Sequence, residues 1–223
     1  MSNAKIKFCG LTTVLLAAVF ALSACSSLRP DFVKTPSSAL PPDLDTPAGH
    51  YISAQLQQHK DLSGFRLLSR STQALMSRIS LADHAAKSID LQYYIFQNDA
   101  VGRLVAQRLL AAADRGVRVR MLLDDISLND EDRLLAALDA HPNMEVRLFN
   151  PFRTRSPSLP SRIAQFVIES QRLNHRMHNK AFIVDGTAAI VGGRNIGNAY
   201  FDADDQTNFR DLDVLAIGPV VAQ

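Results

Sequence analysis

The sequence predicts an α/β domain with a mixed, mainly parallel sheet covered by helices on both faces. Three observations carry that expectation. Between residues 65 and 149, short β-rich apolar runs alternate with stretches of helical periodicity, the pattern that builds a sheet with crossover helices. Two further apolar runs meet at Asp185-Gly186, a strong short-range hairpin signal. The chain has 223 residues, enough for one domain that buries about 70% of its unfolded surface.

The first element is not part of the domain. Lys5 and Lys7 precede a mostly apolar run, Leu11 to Leu22, twelve residues long and too short to span a bilayer as a helix. Such a segment reads as a secretory leader over residues 1–24. It closes in Leu22-Ser23-Ala24-Cys25, which resembles a bacterial lipobox. That resemblance implies lipidation of Cys25, cleavage before it, and a chain anchored to the membrane rather than spanning it. Ser26 follows where Asp would signal retention, so the periplasmic face of the outer membrane is the expected location. With Cys9 in the leader and Cys25 lipidated, no disulfide is expected.

Residues 25–50 carry five prolines (Pro30, Pro36, Pro41, Pro42 and Pro47) without apolar periodicity, and read as an extended, loosely packed tether. The domain occupies residues 51–223. Phe65 to Leu68 reads as a strand, and Thr72 to Ala86 as a helix through Leu75, Met76, Ile79 and Ala82. Ser88 to Phe96 is β-rich, and Asp99 to Asp114 is a helix stopped by Gly116. Strand, helix and strand follow at Val117–Leu123, Asp130–Ala140 and Met144–Phe149. Ser161 to Leu173 reads as a helix whose Ile163, Phe166 and Val167 fall on one side, a face expected to pack in a core, with contact to lipid as the alternative. Leu212 to Ile217 is the final strand, and Gly218-Pro219 opens a new helix.

Charge is balanced, with 24 Lys and Arg against 22 Asp and Glu, and the excess is Lys5 and Lys7 of the leader. A near-neutral mature chain argues against a general nucleic-acid binder. Locally the balance shifts: Arg153 to Lys180 holds six basic residues and one acid, Glu169, where an anionic substrate would approach.

The chemistry concentrates in residues 178–195, HNKAFIVDGTAAIVGGRN. His178 and Lys180 are one residue apart, so on an extended segment both side chains leave the same face. Gly192-Gly193 allow close backbone approach, and Asn195 offers an amide donor. A nucleophile, a fixed cation and a neutral donor on one hairpin are the parts needed to attack an anionic phosphoryl centre. The spacing H-x-K-x4-D-x6-G-G-x-N resembles the signature of the phospholipase D superfamily. The stretches SIDLQYYIFQND, AAADRGVRVRMLLDD, MEVRLFNPF and VGGRNIGNAYF extend the resemblance to the amino-terminal half of bacterial cardiolipin synthases, the C-type branch in particular.

The resemblance implies a phospholipase D-like fold and a phosphatidyltransferase or phosphodiesterase acting on phospholipids through a phosphohistidine on His178. Lys180 and Asn195 would hold non-bridging oxygens. Asp185 belongs to the motif, yet its turn position suits an orienting or structural carboxylate. Asp211 is the candidate acid for fixing the tautomer of His178, with Asp213 as competitor. Gly193 stands where many members carry Ser, so one hydroxyl contact to phosphate is absent. Neither cofactor nor metal is expected: Asp124 and Asp125 are adjacent on a strand and point to opposite faces, and Asp202, Asp204 and Asp205 read as a solvated loop. Relatives have two halves, each contributing one motif, and no other histidine here has Lys two residues on. The second half would come from a longer native chain or a symmetric homodimer. A dimeric nuclease and an inactive, membrane-tethered phosphate-binding module are the alternatives.

Overall fold

The computed structural model describes residues 35–59, 61–128, 131–153 and 159–223; the leader and Cys25 lie outside them. The described residues divide into two compact units, one of residues 35–151 with 174–223, the other including Phe152–Leu173.

The larger unit holds a seven-stranded sheet. Its strands are β1 (Gly64–Leu68), β2 (Ser88–Tyr93), β3 (Arg118–Asp124), β4 (Met144–Phe149), β5 (Lys180–Val184), β6 (Ala188–Gly192) and β7 (Asp213–Ile217). Four helices belong to the same unit: α1 (Pro47–Leu56), α2 (Ser71–His84), α3 (Ala100–Asp114) and α4 (Asp132–Asp139). The spatial order is β1-β7-β6-β5-β2-β3-β4. The α/β class is as expected, but the pairing is not mainly parallel. Only β2–β3 and β3–β4 are parallel, while β1–β7, β7–β6, β6–β5 and β5–β2 are antiparallel. Crossover helices α3 and α4 enforce the parallel pairs. The hairpin takes the other edge of β2, which sends β1 to the far side of the sheet beside β7.

Register explains the core. Residues Val119, Ile89 and Val184 form one cross-strand row, and Met121, Leu91, Phe182 and Ile190 form the next. All seven are at most 2% exposed. Ala74, Ile79 and Ala82 of α2, Val105 and Leu109 of α3, and Leu135 and Leu138 of α4 join the same cluster. These three helices therefore share one face of the sheet, where coverage of both faces was expected.

On the opposite face, strand periodicity presents Asp90, Gln92, Arg120, Glu145 and Arg147, and residues 35–43 lie there instead of a helix. Arg118 donates to the Ser38 carbonyl at 3.0 Å, Arg120 to the Ser37 hydroxyl at 2.9 Å, and Arg147 to the Thr35 carbonyl. Asp43 N–H donates to the Asp185 carbonyl at 3.2 Å. From Thr35 onward the proline-rich stretch is thus docked, because arginines at alternate strand positions satisfy its carbonyls. Helix α1, whose first four residues were read above as tether, starts where the Thr46 hydroxyl accepts from Gly49 N–H at 2.9 Å with Pro47 in the first turn.

In the smaller unit the expected single helix is two, α5 (Leu159–Ile168) and α6 (Ser170–Leu173). Its stripe is not core-facing: Ile163, Phe166 and Val167 are exposed. Among the described residues no helix is long and apolar enough to cross a membrane.

Candidate active site

The hairpin forms as its sequence dictates. Thr187 N–H donates to the Val184 carbonyl at 3.0 Å, and Asp185 and Gly186 both have positive φ, the conformation of a type I′ turn. The Asp185 carboxylate is buried and accepts three backbone N–H groups, from Ala86 at 3.0 Å, Lys87 at 2.8 Å and Ser88 at 2.9 Å. It ties the hairpin to the start of β2 and is spent on that task. Five residues of strand separate it from Lys180, about 16 Å of rise. Both of its oxygens accept backbone amides, so the structure gives Asp185 the structural task that its turn position suggests.

At the other end of β5 the remaining motif residues converge on three consecutive residues leaving β2. Tyr93 is the cross-strand partner of Lys180. The Tyr94 ring lies 4.8 Å from the His178 ring, and the Lys180 ammonium sits 5.3 Å over the same ring. Ile95 N–H donates to the Asn195 side-chain oxygen at 3.0 Å. That bond occupies the oxygen of Asn195 and leaves its NH2 end as the donor for a ligand. His178 is exposed, whereas Lys180 and Asn195 are buried. Lys180 donates to the His178 carbonyl at 2.9 Å, which couples the cation to the backbone of the histidine. Burial pushes the Lys180 pKa below its ordinary value, and nearby Asp211 opposes that shift.

The glycine pair has a geometric reason. A Cβ on Gly193 would collide with the Asp211 carboxylate, and one on Gly192 with Asp213 and the Leu212 carbonyl. The missing serine is therefore matched by an acid that fills its space. Asp211 stands beside Lys180 and Gly193, and among the described residues it makes no hydrogen bond to His178. Asp213 does not reach the histidine either. It is fully buried, 3.0 Å from Arg78 and 3.6 Å from Arg194, and accepts Arg194 N–H at 3.2 Å. Arg78 also donates to the Tyr93 hydroxyl at 3.0 Å, and Arg194 to the carbonyls of Leu68 and Ser69 at 3.0 and 2.9 Å. Burial works against the Arg78 charge, and Tyr93 with Asp213 more than offsets it, so its pKa rises.

Sequence reasoning did not single out Tyr94, Arg78 or Arg194. Tyr94 had a signal, since it lies within the β-rich run Ser88 to Phe96, but its face could not be assigned before the register was known. Asp124, weighed only as a metal ligand, is a clamp on the segment before the motif. It accepts Met177 N–H at 2.8 Å and lies 3.4 Å from Arg176. Asp204 closes a local turn by accepting Gln206 and Thr207 N–H groups, which lowers its pKa. Cys25 lies outside the described residues.

Residues 78–217 match the family model described as "Cardiolipin synthase, PLD-like domain". Cardiolipin synthase C of Escherichia coli is 52% identical over 164 residues, covering 74% of this chain and 34% of that protein. An uncharacterized protein of Helicobacter pylori is 41% identical over 213 residues, covering 94% of this chain and 41% of the relative. Among solved structures, phosphatidylserine synthase of Haemophilus influenzae superposes with a TM-score of 0.52 at 17% identity, over 77% of this chain and 38% of that one. The chain spans 34% and 41% of the length of these two sequence relatives. On the family match across residues 78–217, the chain belongs to the phospholipase D-like domain family of the cardiolipin synthases.

Proposed function

We propose that this chain is one half of a lipid-anchored phospholipase D-type phosphatidyltransferase or phosphodiesterase that works on phospholipids. The observation that carries the reading is the convergence of His178, Lys180 and Asn195 on the exit of β2. An imidazole open to solvent stands there beside a buried cation and an oriented amide donor. His178 attacks phosphorus; the P–N bond forms as the P–O bond to the leaving alcohol breaks, and the alcohol oxygen takes a proton from a general acid in the second half. Lys180 and the Asn195 NH2 bind non-bridging oxygens as charge builds on them. Attack on phosphorus by water, glycerol or a lipid headgroup then releases His178.

The second His-Lys-Asn set comes from a longer native chain or from a symmetric homodimer. One donor to a developing oxyanion is worth about 2.7–4 kcal/mol, so a lone half lacking several such groups is nearly inert. Asp211, beside Lys180, favours the charged form of that ammonium against the burial that disfavours it. A lipid on Cys25 would place the domain in the bacterial cell envelope, at the periplasmic face of the outer membrane, where its substrate resides.

The test uses the full-length protein with phosphatidylglycerol vesicles. Phosphatidyl transfer and an acid-labile phospholipid adduct on the protein are expected, and both should vanish in His178→Ala. Transfer at the unaltered rate in that variant would reject the reading, as would headgroup binding without any turnover in the unaltered protein.

A further inference from the structure

Helix α5 carries its apolar side outward. Ile163 is 55% exposed, Phe166 41%, Val167 69% and Ile168 81%. Residues 163, 166 and 167 follow helical i, i+3, i+4 spacing, so they form one stripe rather than scattered singles. A soluble domain gains by burying about 25 cal/mol per Å2 of such surface, and nothing among the described residues covers it. Ten residues of helix measure about 15 Å, half of what a bilayer core requires, so a membrane partner would be lain upon rather than crossed.

Charge narrows the occupant. Residues 152–173 contain Arg153, Arg155, Arg162 and Arg172 against Glu169 alone. Glu169 lies 3.7 Å from Arg153 and 2.6 Å from Arg172, so the acid is already matched and the surplus is positive. A net-basic sequence that bears an apolar helical stripe is the pattern of a helix seated in the headgroup layer of an anionic membrane. The helix is also tied to the site by the chain itself. Leu173 precedes His178 by five residues, a reach of about 18 Å at most. Independently, the loop that bears Asp211 exposes Phe209 and Leu212 at 47% and 49%.

We propose that α5 is an interfacial helix that docks on an anionic bilayer, in a segment joined to the strand of His178 by a short stretch of chain. The proposal rests on the phospholipid reading for its purpose, while docking itself is measured without chemistry. A second copy of the chain or the remaining part of a longer protein could also cover the stripe, and the experiment separates them.

These 223 residues contain no tryptophan, so Phe166→Trp, read as the difference in emission from the unaltered full-length, anchored protein, reports on the stripe, with Ile168→Trp as an independent second position. Both are placed in phosphatidylglycerol vesicles with brominated acyl chains. Blue-shifted emission that appears only with lipid and is quenched by bromine is expected at both positions, whereas Phe65→Trp, exposed on β1, should be neither shifted nor quenched. Blue emission before lipid is added would mean that protein covers the stripe and would overturn the proposal. Red, unquenched emission in vesicles would overturn it too, and equal quenching on phosphatidylcholine would overturn the anionic assignment.

Adding His178→Ala to the reporter should leave quenching unchanged, so failed catalysis cannot pass for failed docking. Val167→Asp with Ile168→Asp should lower turnover of vesicle lipid about tenfold per residue and leave a short-chain, monomeric phosphodiester unaffected. Equal loss on both substrates would count against docking.

Discussion

The two ends of β5 carry one sequence motif and do opposite work. At the Asp185 end both oxygens of a carboxylate are engaged by backbone amides and the group is sealed from solvent. At the Lys180 end an exposed imidazole, a buried ammonium and a half-used amide are held around the exit of β2 with capacity to spare. Saturated polar groups contribute stability, and groups with unused donors or acceptors contribute chemistry at some expense to stability. A single five-residue strand therefore separates the part of the motif that folds the domain from the part that faces substrate.

The sharpest way to test that division is His178→Ala. Transfer should fall by about four orders of magnitude or more, as for other nucleophile deletions, with the melting temperature nearly unchanged because the ring is exposed. A large loss of stability would erase the distinction between the two ends. Next in size is Asp213→Ala, beneath the site, which leaves Arg78 and Arg194 as buried charges without their carboxylate. Breaking such a pair costs about 3–5 kcal/mol, readable as a lowered denaturation midpoint. An unchanged midpoint would mean the network is not buried in solution.

Lys180→Met should separate the two properties most clearly. Activity drops by the loss of one oxyanion donor, about 2.7–4 kcal/mol in the barrier, while stability at neutral pH rises. The sign follows from the lowered pKa: the charged form is disfavoured in the fold, so the unfolded chain binds more protons between the lowered value and the ordinary 10.5. The cost of the charge is fully present below that window and is relieved as pH rises through it. The stability advantage of the methionine variant should therefore shrink on going alkaline, and urea titrations at neutral pH and above would reveal a constant advantage if the account is wrong.

The smallest effect belongs to Asp185→Asn. Exchanging the carboxylate for an amide keeps one acceptor for the amides of residues 86–88 and should cost about 1–3 kcal/mol, with kcat unaltered in the folded fraction. A fall in kcat matching that of the His178 variant would return Asp185 to the catalytic set.

Most of the element list was legible in the residues, because amphipathic period and capping are local properties. The helix read from Asp99 to Asp114 is present one residue shorter, with Asp99 capping it by accepting Gly102 N–H at 2.9 Å. Met144 to Phe149 forms a strand with the bounds its residues suggest. What misled was order. The helix after β1 looks like a crossover to β2, yet β1 pairs with β7 at the far edge, and nothing within β1 encodes that neighbour. The tether was misjudged for a related reason: its partners Arg118, Arg120 and Arg147 lie some eighty to over one hundred residues away in the chain.

The sequence by itself determined the hairpin, the residue types of the site and the family, since Asp-Gly chemistry, strand alternation and motif spacing act over a few bonds. Only the tertiary structure decided which carboxylate does what. Asp185, Asp211 and Asp213 are the same residue type within one stretch of chain, and each takes its role from neighbours of distant origin. The amides of residues 86–88 claim the first, Lys180 and Gly193 flank the second, and Arg78 with Arg194 enclose the third. A carboxylate's function is set by the donors and charges around it, and those are assembled by strand order and register, which no local signal specifies.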